Sequence, residues 1–227
     1  MKTIHLWQKR IVKLVLILMM GVSMSACAGL SGSTMHWKEE VLLHDGNKVI
    51  IERFYNLGGY TTIDSRERKS IDQTVTFTLP GANRAIIWKT DFHDARPEPN
   101  SLNLLLLDVV KGVPYIATYP AGCIAYNKWQ RPNPPYIFFK YEDNDWKRIS
   151  LEEFPSELNK TNVIVGRPPA ELLKSFYTAE EVEDQNYDIH SPEYKTILRE
   201  AVKPEPCPQY SSGSTPPISI APKASQK

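Results

Sequence analysis

Cysteine, histidine and clustered carboxylates carry most of the chemistry open to a chain, and these 227 residues hold 3 Cys and 5 His. Cys123 lies in Ala121-Gly122-Cys123-Ile124. A nucleophilic cysteine needs a nearby base or cation to hold it as thiolate, and no basic residue adjoins this one. Asp91, His93, Asp94 and Glu98 could ligate a metal, but their spacing matches no standard site and leads straight into Arg96-Pro97-Glu98-Pro99-Asn100. An exposed loop is the expectation there. Asp143-Asn144-Asp145 opens like a calcium loop, yet the sixth position is Arg148 and the twelfth Phe154, where glycine and glutamate are needed. It reads as a hairpin turn. The chain has no Gly-x-Ser-x-Gly, Ser-x-x-Lys, His-Glu-x-x-His or phosphate-binding glycine loop. No catalytic residue, metal or cofactor is therefore assigned. Tyr126, Trp129 and Tyr136, close to Pro132, Pro134 and Pro135, could line a groove for a glycan or proline-rich peptide. The competing use is a β-meander core, since aromatics are enriched in strands.

Cys27 is the third thiol. Lys2, Lys9, Arg10 and Lys13 precede an apolar run at 14–20, followed by small residues and Met24-Ser25-Ala26-Cys27. The apolar stretch is too short for a membrane span, which takes roughly 20 residues. A basic head, short apolar segment and small-residue exit suit a cleavable export signal. The tetrapeptide resembles the lipobox of bacterial lipoproteins, with Met24 where leucine is commonest. The resemblance implies a signal peptide over 1–26, acylation of Cys27 and membrane attachment through two or more lipid chains. Ala28, not aspartate, follows the cysteine, which implies the outer membrane, with the protein facing the periplasm.

Export places Cys123 and Cys207 in an oxidising compartment, where an even pair forms a disulfide. Closing the long loop between them is worth about 4–5 kcal/mol in the chain-entropy model. The chain carries 27 Lys+Arg against 26 Asp+Glu. The leader holds four of the basic residues and no acidic ones, so the remainder is mildly acidic. Such a balance gives no reason to expect nucleic-acid binding, whose footprint is a clustered basic surface.

The elements that must position these residues follow from turn chemistry. Residues 27–35 are small and polar, as in a flexible tether. From 36 to 203 a single domain is expected. Asp45-Gly46 separates 41–43 from 49–51, Pro80-Gly81-Ala82-Asn83 separates 74–79 from 85–89, Lys111-Gly112 separates 104–110 from 114–119, and 142–145 separates 136–141 from 146–149. Repeated turn-linked apolar runs predict a mainly β domain of antiparallel hairpins or a meander, forming a sheet, sandwich or partly open barrel. Leu104-Leu105-Leu106-Leu107 puts leucine on both strand faces, which predicts a central strand covered on both sides. One or two C-terminal helices are expected, at 169–176 and from Ser191-Pro192 to about Lys203. Residues 204–227, rich in Pro, Ser and Lys, read as a disordered tail beyond Cys207.

Ala121-Gly122-Cys123-Ile124 superficially resembles the cysteine motif of L,D-transpeptidases, but Ala125 stands where that family has arginine. Trp37-Lys38-Glu39-Glu40-Val41, Asp45-Gly46 and Glu52-Arg53 resemble a group of uncharacterised proteobacterial lipoproteins, which implies location and no activity. The expectation is a non-enzymatic outer-membrane lipoprotein binding a protein or an envelope polymer such as peptidoglycan. The alternatives are a peptidoglycan-acting enzyme and a surface exclusion factor.

Overall fold

Four tight turns divide the chain into strand pairs, and each has a local cause. Between β1 (Thr34–Leu42) and β2 (Lys48–Gly58), the Asp45 carboxylate accepts from the Asn47 amide at 2.9 Å. Gly46 there takes a φ of 85°, which a Cβ would oppose. Pro80-Gly81 turns β3 (Lys69–Thr78) into β4 (Ala85–Asp91). Lys111 and Gly112 both have positive φ between β5 (Leu102–Val110) and β6 (Val113–Pro120). So do Asp143 and Asn144 between β7 (Ile137–Glu142) and β8 (Asp145–Ile149). Two central residues with positive φ mark the type I′ turn, whose twist matches that of paired strands. All four expected hairpins form.

The computed structural model describes residues 34–58, 69–91, 102–204 and 206–209. The signal peptide, Cys27 and most of the expected tether and tail lie outside them. So do 64–68, His93, Asp94, Glu98 and the side chain of Asp91. β1 includes Thr34 and the buried Met35, two residues expected in the tether.

The domain is mainly β. One sheet has the order β4-β3-β2-β1-β9, the last being Phe176–Tyr177, and the other β5-β6-β7-β8. All pairings are antiparallel except β1 with β9. Neither sheet closes into a barrel. The sheets share a core: Val49, Ile51, Val75, Phe77 and Trp88 from the first meet Leu104, Leu107, Ile116, Phe139 and Trp146 from the second. Ring centroids are 6.0 Å apart for Trp88–Phe139 and 6.5 Å for Phe77–Trp146. Each fully buried aliphatic or aromatic side chain stabilises by about 1.5–3 kcal/mol.

The four leucines are covered on both faces, but β5 is an edge strand and not the expected centre. Its register slips between Leu104 and Leu106. This bulge sends Leu104 and Leu107 to the shared core and Leu105 and Leu106 to a second cluster. A segment with Phe154, Leu158 and Ile197 covers that far side. The open edge is closed by the Asn162 amide, whose Oδ1 accepts from Leu107 N at 3.1 Å and whose Nδ2 donates to Leu107 O at 2.8 Å. The same Nδ2 donates to Leu42 O at 3.0 Å, joining the two sheets. An amide side chain thus supplies what a neighbouring strand would.

The helices depart most from expectation. Segment 169–176 makes only a 3-10 turn at Ala170–Leu172 before β9. Pairing with β1, helped by Lys38 N donating to Ser175 O at 3.0 Å, overrides the local pattern. The helix comes next, α2 (Ala179–Gln185), opened by a Thr178–Glu181 capping box that satisfies two backbone N–H groups. An earlier helix, α1 (Gly122–Lys128), follows β6 and was not expected. The predicted final helix is short: α3 (Pro192–Lys195) has Ser191 and Pro192 at its start. It stops because Thr196 bridges to Lys160, and Ile197 N donates to Asn159 O at 2.8 Å. Among the described residues no helix is long and apolar enough to cross a membrane.

Candidate functional site

Cys123 and Cys207 form a disulfide with S–S 2.12 Å and Cα–Cα 5.2 Å. Cys123 lies at the start of α1 and Cys207 ends an extended strap that follows α3. Polar bonds reinforce the staple. Asn127 Nδ2 donates to Cys123 O and Pro208 O, and Arg131 donates to Cys207 O at 3.2 Å. Asn133 exchanges two bonds with the backbone of Val202. In this state Cys123 holds no thiolate, and the pair acts mechanically.

Tyr126, Trp129 and Tyr136 do not line a groove. They are 4 %, 9 % and 4 % exposed. Trp129 fills the shared core, Tyr136 the second cluster, and the Arg131 guanidinium covers the Tyr126 ring at 4.9 Å. Apolar cover for the sheet interior outcompetes exposure of large rings. Tyr136 has become a hub for the strap. Its hydroxyl donates toward Glu193 O (2.8 Å) and Thr196 O (3.1 Å) and accepts from Leu198 N (3.2 Å). Burial pushes its pKa up to about 12. Asp143-Asn144 is a hairpin turn, and no metal-holding cluster occurs among the described residues.

The first sheet also buries charge. Arg53 and Glu39, both wholly buried, pair at 3.1 Å. Arg53 further donates to Ile164 O at 2.9 Å, Tyr55 Oη at 2.6 Å and Gly166 O at 3.2 Å, and lies 5.0 Å over the Trp37 ring. Trp37 Nε1 donates to Glu39 Oε2 at 2.7 Å, and Tyr55 Oη to Gln73. Burial raises the Tyr55 pKa. Loop 163–167 seals this box, so it is an interior anchor for that loop.

A cavity of about 410 Å³ opens where the end of β1, strand β5, segment 157–162, α2 and residues 194–195 meet. Its size falls within the roughly 300–1,000 Å³ of ligand sites. Leu42, Leu106, Leu158 and Val182 give it an apolar bed. At one side stands a His–Asp dyad. The buried Asp108 accepts from His44 N at 2.9 Å and from His44 Nδ1 at 2.8 Å. A carboxylate only accepts, so Nδ1 carries the proton and Nε2 is left for another partner. The bond to Asp108 raises the His44 pKa against the opposing effect of burial, and the charges of Asp108, Asp45 and Glu157 add to the rise. His44 Nε2 therefore accepts a hydrogen bond when neutral and donates one when protonated. On the other side Lys160 pairs with Glu183 at 2.9 Å. Lys195 Nζ donates to Tyr187 O at 3.1 Å, and the exposed Tyr187 also borders the cavity.

In sequence His44 is only a neighbour of the Asp45-Gly46 turn, with nothing to tie it to Asp108. One signal was present: Asp108 is the lone charge in the apolar run 104–110. Glu39 and Arg53 likewise sit at inward positions of alternating strands. No protein-family model, curated protein or solved structure matches this chain.

Proposed function

We propose that the chain is an outer-membrane lipoprotein of the uncharacterised group it resembles, held by Cys27 and facing the periplasm, whose β domain binds a protein or envelope polymer at the His44 cavity. The cavity carries this reading. It joins an apolar bed to a few polar groups with bonding capacity to spare, the usual composition of a binding site, and its walls come from segments far apart in sequence. Its role is binding, with His44 a hydrogen-bonding group oriented by Asp108.

Two measurements test the two halves. Cys27→Ser should move the protein from the membrane fraction to the soluble fraction without unfolding the domain; continued sedimentation with membranes would remove the anchor. A photo-crosslinking residue at Glu157, on the cavity wall, should capture a partner in cells, while one at Thr78, on the outer sheet face, should not. Equal capture from both positions, or capture from Thr78 alone, would sink the cavity as the binding site.

A further inference from the structure

Building on that binding role, the geometry points to an uncharged glycan segment as the ligand of the His44 cavity, with a sugar ring resting on Tyr187 and its hydroxyls meeting His44, Glu157 and Asn159.

Three observations carry this. Tyr187 is 78 % exposed at the cavity rim, yet its backbone is held on both sides: its N–H donates to Asp184 O at 3.1 Å and its carbonyl accepts from Lys195. A large ring open to water on a fixed stretch of backbone offers a stacking platform, and a pyranose offers a flat face of C–H groups to match it. Second, the polar groups have bonding capacity to spare. Asp108 takes His44 Nδ1 and leaves Nε2, and the Glu157 and Asn159 side chains make no hydrogen bond among the described residues. The other two asparagines of the cavity are committed to the fold. Asn162 ties the two sheets, and Asn186 bonds Val165 N at 3.0 Å and Val163 O at 2.7 Å. Planar amide, carboxylate and imidazole groups beside an apolar bed suit a ligand with hydroxyls around an apolar ring. Third, the charges nearly cancel. Lys160 and Lys195 stand against Asp108, Glu157 and Glu183, and His44 evens the count when protonated, so no strong net field selects an anion or a cation.

The test titrates the full-length lipoprotein, purified from membranes in detergent, with chitotriose, cellotriose and maltotriose, and separately with an Ala-Glu-Lys peptide. Calorimetry should show saturable binding of at least one trisaccharide. Tyr187→Ala should weaken it at least tenfold, and His44→Gln several-fold. Tyr187 is exposed, so its truncation leaves the core intact, and an unchanged urea midpoint checks this. Absence of binding by all three sugars, or sugar affinity indifferent to both substitutions, overturns the glycan assignment. If the peptide binds and His44→Gln weakens it, the ligand class is wrong and the cavity reading stands. If neither class binds and the Glu157 crosslinker captures nothing, both fall.

Discussion

The inner face of the first sheet has two kinds of interior. At one end Val49, Ile51, Val75 and Phe77 meet the second sheet in an apolar core. At the other, a few residues along the same strands, Trp37, Glu39, Arg53, Tyr55 and Gln73 form a charged and hydrogen-bonded box under loop 163–167. The apolar end is stabilised in proportion to area removed from water, with little regard to direction. The charged end depends on direction, since each buried donor must meet an acceptor. The box does not satisfy all of them: Arg53 Nε and Gln73 Nε2 are buried without a partner among the described residues. A second sheet would cover such a face with side chains alone. Here a loop covers it, and the loop's carbonyls need donors. Arg53 supplies them.

The sharpest way to break this contrast is Glu39→Ala. It leaves the Arg53 charge buried and unpaired, and should cost about 3–5 kcal/mol in urea unfolding. The double variant Glu39→Leu, Arg53→Met removes both charges and should recover part of that loss. A double variant no better than the single one would mean that the contacts of Arg53 to Ile164 O and Gly166 O outweigh the ion pair. Next is Asn162→Ala, on the seam between the sheets. It strands Leu107 N–H and two carbonyls at a covered edge and should cost about 1–3 kcal/mol. Proteolysis should then cut segment 157–165 faster than the β1–β2 hairpin. At the apolar end Ile51→Val should cost only about 0.5–1.5 kcal/mol. A loss as large as that of Glu39→Ala would erase the distinction between the two ends.

The smallest expected effect is the pH dependence of the His44–Asp108 pair. Its histidine pKa is raised in the folded state. The stability it contributes is therefore complete below the ordinary histidine value of about 6.5. That stability is lost as pH rises through the higher folded value. Urea midpoints from pH 5.5 to 8.5 should fall more in the native protein than in His44→Gln, and parallel curves would remove the dyad's contribution.

Much of the β framework was legible because its causes are local. Asp45-Gly46, Pro80-Gly81, Lys111-Gly112 and Asp143-Asn144 each turn the chain within a few residues. The alternation in 74–79 marks a buried face without reference to any partner. The Cys123–Cys207 pairing was legible for a different reason, since the lipobox resemblance sets Cys27 aside and export then leaves each remaining thiol only the other. The helices were less so. Segment 169–176 has a helical pattern, but Phe176 and Tyr177 gain more from pairing beside β1, and the last helix ends where Thr196 and Ile197 meet the strand-like segment 159–160.

The candidate site was not legible. His44 lies in the turn between β1 and β2 and Asp108 in β5 of the other sheet, and nothing near either residue names the other. Tyr126, Trp129 and Tyr136 show the opposite failure: their closeness in sequence suggests a shared surface, yet the fold sends them into the interior. Turn positions, strand faces and the cysteine inventory depend on φ preferences and side-chain period, which operate over a few residues, and the chain determines them by itself. Which charges meet in the interior, what closes the edge of β5 and which residues surround the cavity depend on contacts between distant segments, and only the packed structure decides them.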